Sequence, residues 1–153
     1  CPSGCSAKST ASGWPVVLFS HGLGGNSDMY IQLCMHIASY GYIVIALEHE
    51  DGSGSHAQQA DGTLVRYCAP PAGFVYSRES VVSFRKAFLA HRVSEIDAVL
   101  EILGKETLPA AAAVLSKAAD LRSVSLIGHS FGATTVMLAT QRRSVPAAVL
   151  LDP

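Results

Sequence analysis

A short apolar run that passes through Gly128-His129-Ser130-Phe131-Gly132 into a small-residue amphipathic run constrains this chain more than any other stretch. Val124-Ser125-Leu126-Ile127 has the character of a buried strand, and the residues from Ala133 to Thr140 suit a helix. A strand that turns directly into a helix brings its own backbone into close approach. The positions two residues either side of the central serine must therefore be small, and glycines at 128 and 132 remove the Cβ atoms that would collide. In this setting Gly-x-Ser-x-Gly is the nucleophile elbow, a serine on a strained strand-to-helix turn. The helix N-terminus then faces the hydroxyl, where negative charge develops during acyl transfer. The competing explanation is a βα turn with an incidental serine.

The rest of the chain supplies a sheet for that turn. Val16 to Ser20 and Tyr42 to Leu47 are continuous apolar runs, as in strands buried on both faces. Between them, Met29 to Tyr40 places Ile31, Cys34, Met35 and Ala38 at helical spacing, and Gly41 follows as a C-terminal stop. A Gly/Ser/Gln/Ala-rich loop is expected up to about Tyr76. Ser80 to Leu103 predicts a long helix with an apolar stripe through Phe84, Phe88, Val93, Ile96 and Leu103, closed by Gly104. Leu108 to Ala119 predicts a short alanine-rich helix, Ser123 to Ile127 and Ala147 to Leu151 two further strands, and Gly132 to Arg142 the helix between them. The resulting order, β-α-β-(loop)-α-β-α-β, belongs to an α/β fold with a mostly parallel sheet and helices on both faces. Residues 1–13 are expected to form a flexible linker, and 14–153 part of a domain. The start at Cys1 and the end at Leu-Asp-Pro suggest a fragment whose C-terminal part follows Pro153.

Composition narrows the function classes. With 49% hydrophobic and 15% charged residues, the 153-residue chain can fill a core. A net charge of −1 without basic or acidic blocks gives no support for nucleic-acid binding or an electrostatic membrane patch. Apolar runs such as Ile43–Leu47 fall far short of the roughly 18 residues of a membrane span. The four cysteines match neither a zinc pattern nor a redox pair: Cys1 and Cys5 lie in the leader, Cys34 reads as a buried small hydrophobe, and Cys68 sits in a loop. The compartment stays open between secreted and cytoplasmic.

Ligands of a parallel sheet bind at the carboxyl ends of its strands. The glycine-rich His21-Gly22-Leu23-Gly24-Gly25-Asn26 loop, His49, Ser130 and Asp152 all follow strands and fall on that edge. The loop suits close backbone approach to a ligand. It lacks the G-x-G-x-x-G dinucleotide spacing, and Asn26-Ser27-Asp28 reads as a helix cap. Tyr67, Phe74 and Tyr76 are candidates to line an apolar pocket. His49 and His56, with Glu48, Glu50 and Asp51 nearby, raise the question of a metal, but spacing across a loop defines no ligand geometry. No metal or cofactor is expected. A serine nucleophile needs a histidine base backed by a carboxylate. Asp152 stands at the correct strand end for that acid, and the chain order Ser, acid, His puts the histidine after it. All six histidines lie upstream.

Phe19-Ser20-His21-Gly22-Leu23-Gly24, Glu48-His49 with Asp51, and Gly128–Gly132 with Leu151-Asp152 together resemble the plasma-type (type II) platelet-activating-factor acetylhydrolases. The similarity runs from about Pro15 to Pro153. It implies the α/β-hydrolase fold, serine-dependent and calcium-independent phospholipase chemistry, and phospholipid substrates with a short or oxidised sn-2 acyl chain. It further implies Ser130 as nucleophile, Asp152 as acid, and the backbone N–H groups of Leu23 and Phe131 as the oxyanion hole, with peripheral contact to a lipid surface. Glu50 stands where the family has arginine, Ala133 where it has glycine, and the stretch from Gly52 to Tyr76 matches poorly. A cutinase-like or dienelactone-hydrolase-like esterase and a non-catalytic hydrolase-fold binding protein are the alternatives.

Overall fold

The structure, a computed structural model, describes residues 13–105, 115 and 118–153. Strand β1 (Trp14–Ser20) is followed by a 3-10 turn (Asp28–Tyr30), helix α1 (Ile31–Ser39) and strand β2 (Ile43–Leu47). A small hairpin of β3 (His56–Gln58) and β4 (Leu64–Arg66) precedes the long helix α2 (Arg78–Leu103). Strand β5 (Ala119–His129), helix α3 (Phe131–Thr140) and strand β6 (Ala148–Leu151) complete the order. The main sheet has four parallel strands in the order β2-β1-β5-β6. All of the expected leader except Gly13, with Cys1 and Cys5, and nearly all of the alanine-rich Leu108–Ala119 segment lie outside the described residues.

The central strand β1 explains the continuous apolar run. Val16, Val17, Leu18 and Phe19 are all at most 2% exposed, because successive side chains enter opposite, covered faces. On one face Val16, Leu18, Val124 and Leu126 pack against Val93, Ile96 and Leu103 of α2 and Val136 and Ala139 of α3. On the other, Val17 and Ile127 meet Ile37 of α1 and Tyr40 just after it across a hollow. Helices therefore stand on both faces, as the alternating pattern requires. The α1 stripe is the exception: Ile31 and Met35 are exposed, and this helix approaches the sheet through Ile37 and its capping residue Tyr40 instead.

Local chemistry sets the ends of the elements. Asn26 Oδ1 accepts the Met29 N–H at 3.0 Å and so caps the 3-10 turn. Ser77 Oγ accepts the Ser80 N–H, and Ser80 Oγ accepts the Ser77 N–H, a reciprocal capping box that starts α2 at Arg78. The 52–76 stretch is not a featureless loop. It folds back at Asp61-Gly62, where Gly62 has φ +89° and Asp61 Oδ1 accepts the Thr63 N–H. Strands of three residues are too short to show alternation, so only that Asp-Gly turn announced the hairpin.

Candidate active site

Ser130 sits at φ 52°, ψ −117°, a conformation that side chains avoid. Its surroundings hold it there. The Ser130 N–H donates to the Leu151 carbonyl at 2.8 Å, and the Ser130 carbonyl accepts the Ala133 N–H at 2.8 Å. The two elbow glycines leave no room for substitution. A Cβ on Gly128 would lie 2.2 Å from the Gly132 oxygen, and one on Gly132 would lie 2.1 Å from the Ser20 oxygen. The second contact is tertiary: the elbow is pressed against the end of β1, where the glycine-rich loop begins.

That loop is fastened on three sides. The Gly24 N–H donates to the Ser53 carbonyl at 2.7 Å, and the Gly25 carbonyl accepts the Ser55 N–H at 2.8 Å. Tyr30 Oη accepts the Gly22 N–H at 3.1 Å and is hydrogen-bonded to His129 Nδ1 at 2.8 Å, which ties the loop to the elbow. Among the described residues, neither the Leu23 N–H nor the Phe131 N–H has a hydrogen-bond partner. The backbone donors assigned by resemblance are thus uncommitted. Asp152 directly follows β6, whose register pairs His129 with Leu151. Ser130 and Asp152 are therefore the next residues on two neighbouring parallel strands. Asp152 is exposed, with φ 47°.

No histidine is hydrogen-bonded to Ser130 Oγ or Asp152 among the described residues. His129 is held by Tyr30, His91 pairs with Glu95 on the surface, and His36 and His56 are exposed. His49 is buried with a different serine: its Nε2 accepts from Ser20 Oγ at 2.8 Å, and its Nδ1–H donates to Glu95. This serine–histidine–carboxylate line has the connectivity of a catalytic triad, but Ser20 is 1% exposed and reaches no substrate. It fastens the ends of β1 and β2 to α2. His49 and His56 do not share a site.

Beside it lies a second buried group that the sequence pattern did not disclose. Arg92, fully buried, donates from Nη1 to the His21 carbonyl at 2.6 Å and from Nε to Ser53 Oγ at 2.7 Å, with Asp51 Oδ2 at 3.3 Å. Its guanidinium also lies 4.9 Å from the centre of the Phe131 ring. One side chain thus touches both the glycine-rich loop and the residue after the elbow serine. Burial draws its pKa down, and Asp51 opposes that shift. His21 is lowered to about 4, first by burial, against the hydrogen bond from its Nδ1 to the Gly22 carbonyl, with the Arg92 charge adding to the depression. His49 is also lowered, chiefly by burial and against its bond to Glu95. Both rings are neutral at pH 7. The available signal for Arg92 was an arginine among the apolar positions of α2, seven residues after Arg85 and one before Val93.

A mostly parallel sheet with a strained serine between strand and helix defines an α/β-hydrolase fold. The family model described as platelet-activating factor acetylhydrolase, isoform II, matches residues 3–153, and the chain belongs to that family. A cattle (Bos taurus) platelet-activating factor acetylhydrolase is 30% identical over 144 residues, covering 84% of this chain and 32% of that protein. The guinea pig (Cavia porcellus) protein of the same name is 30% identical over 162 residues, covering 94% of this chain and 36% of its own length. The chain spans about a third of the length of these relatives. Among solved structures, a ferulic acid esterase from Streptomyces cinnamoneus superposes with a TM-score of 0.62 at 19% identity, over 88% of this chain and 34% of that one, and shares the fold. Among the described residues no helix is long and apolar enough to cross a membrane.

Proposed function

We propose that the protein carrying this chain is a serine-dependent carboxylic ester hydrolase that releases a short or oxidised sn-2 acyl chain from phospholipids. The observation that carries this reading is the strained Ser130 held between two irreplaceable glycines, with the Leu23 and Phe131 N–H groups unoccupied. In this mechanism Ser130 Oγ attacks the ester carbonyl as a histidine removes its proton. Asp152 orients that histidine, which the triad order places beyond it in the chain. The carbonyl oxygen becomes an oxyanion and accepts hydrogen bonds from Leu23 and Phe131, donors fixed in advance by the contacts of Arg92 and Tyr30. The histidine then protonates the departing lysophospholipid oxygen. Water hydrolyses the acyl-serine, returning the hydroxyl and releasing the carboxylic acid.

A fluorophosphonate probe tests the nucleophile. The full-length protein is expected to be labelled at Ser130, and Ser130→Ala to lose labelling together with about a millionfold of turnover. Undiminished labelling or turnover in Ser130→Ala rejects the mechanism. Faster turnover of a short sn-2 phosphatidylcholine than of simple aryl or polyester substrates is expected. The reverse order assigns the same site to non-phospholipid esters.

A further inference from the structure

The cavity next to the glycine-rich loop contains a cation with unused hydrogen-bonding capacity. Leu23, Tyr67, Phe74, Tyr76, Phe84 and Arg85 line a space of about 360 Å³. Arg85 is 9% exposed and lies in an aromatic box, 4.8 Å from the Phe84 ring centre, 5.3 Å from Phe88 and 5.5 Å from Tyr67. Its Nη2 donates to Tyr67 Oη at 2.8 Å. Among the described residues no carboxylate pairs with it, and Nη1 is buried without a hydrogen-bond partner. Aromatic faces stabilise a guanidinium charge, but they do not accept its in-plane N–H bonds. A buried donor left unmatched is unfavourable, and the planar fork of arginine fits the oxygens of a phosphate or carboxylate.

We propose that Arg85 is an anion receptor in the substrate pocket, taking an oxyanion group carried by the ester. The inference rests on the esterase reading above, since Leu23 belongs both to this cavity and to the assigned oxyanion loop. An ester whose carbonyl lies at Leu23 has its substituents beside the aromatic box. Two parts of a phospholipid supply the required chemistry: the head-group phosphate, and a carboxylate at the far end of an oxidised acyl chain. The rings around the guanidinium accommodate the neighbouring methylene groups, and the guanidinium selects for charge. Neutral esters of the same shape gain only the apolar part of this binding.

Binding without turnover separates this proposal from the catalytic one. Hexyl phosphate, hexanoate and hexanol are titrated calorimetrically into the full-length protein carrying Ser130→Ala, with and without Arg85→Met or Arg85→Lys. Hexyl phosphate or hexanoate is expected to bind about tenfold or more tightly than hexanol, an advantage lost in Arg85→Met and partly kept in Arg85→Lys. Preference for the phosphate identifies a head-group site, and preference for the carboxylate an acyl-terminus site. Equal binding of all three probes overturns the proposal, and needs no Arg85 variant to be folded. An anion preference unchanged in folded Arg85→Met also overturns it. In the active protein, the ratio of kcat/KM for an ester ending in a carboxylate to that for its methyl-capped isostere is expected to fall about tenfold in Arg85→Met. If Ser130 proves not to be the nucleophile while Arg85-dependent anion binding persists, the mechanism fails and the receptor stands.

Discussion

Helix α2 buries two arginines seven residues apart, on one face and in opposite conditions. Arg92 has an accepting carbonyl, a hydroxyl and a carboxylate within 3.3 Å, and an aromatic ring alongside. Arg85 has three rings and one phenol but no carboxylate among the described residues. The same residue type, from the same helix, is structural where the fold gives it a buried carboxylate and free to act where it does not. A buried cation paired with a buried carboxylate is part of the frame. One held by aromatic rings, with a buried donor left over, is a receptor.

Three experiments on the full-length protein would break or sharpen that contrast. The largest effect is expected from Arg92→Met, which removes the cation from the Asp51 carboxylate, itself 1% exposed, and leaves it only the N–H and hydroxyl of Ser53. Breaking a buried pair from one side costs about 3–5 kcal/mol, so denaturant unfolding should show a loss of that size. A loss below about 1 kcal/mol would mean that Arg92 is no more structural than a surface residue.

Acid comes next. A histidine whose pKa is lower in the folded chain than in the unfolded one binds its proton more readily after unfolding. Its stabilising neutrality is complete above the ordinary value of 6.5 and is lost as pH falls towards about 4 for His21. That interval corresponds to about 3 kcal/mol from His21, with His49 acting in the same direction. Protonation there would set a new cation beside Arg92 and Glu48, the charges facing His21, and weaken the Arg92 end of the comparison. Urea midpoints measured between pH 7 and pH 4 should fall together with pH. A flat profile would contradict the buried neutral histidines.

Arg85→Met should have the smallest effect on stability. It strands no carboxylate and fills the same aromatic box with an apolar chain, so the change should stay within about 1 kcal/mol of zero. Destabilisation matching that of Arg92→Met would erase the distinction between frame and receptor.

The elbow was readable because everything that defines it is local. Gly128, Ser130 and Gly132 lie within five consecutive residues, and the strand and helix on either side carry their own periodicities. The position of Asp152 was readable for a related reason, since a parallel strand after the elbow helix returns its end to the same edge. The frame behind the site was not. The Ser20–His49–Glu95 line joins positions 29 and 46 residues apart. Spacing along a chain does not encode such meetings. Along the chain His49 is therefore an isolated histidine near acids, and Arg92 one polar residue among others of a helix. The hairpin at 56–66 escaped for want of length. The exposed side of α1 shows the reverse error, since periodicity correctly gives a helix without deciding which stripe meets the sheet.

By itself, then, the sequence determined the alternation of strands and helices, the glycine-flanked serine, and the placement of Leu23, Asp152 and Phe131 on one sheet edge. These follow from steric limits and side-chain periodicities that act within a few residues. Only the tertiary structure decided which buried charges are matched. Arg92 meets Asp51 because α2 lies over the end of β2, whereas Arg85, two turns earlier, meets aromatic rings. Charge compensation depends on distances through space, so it is settled only when the elements pack.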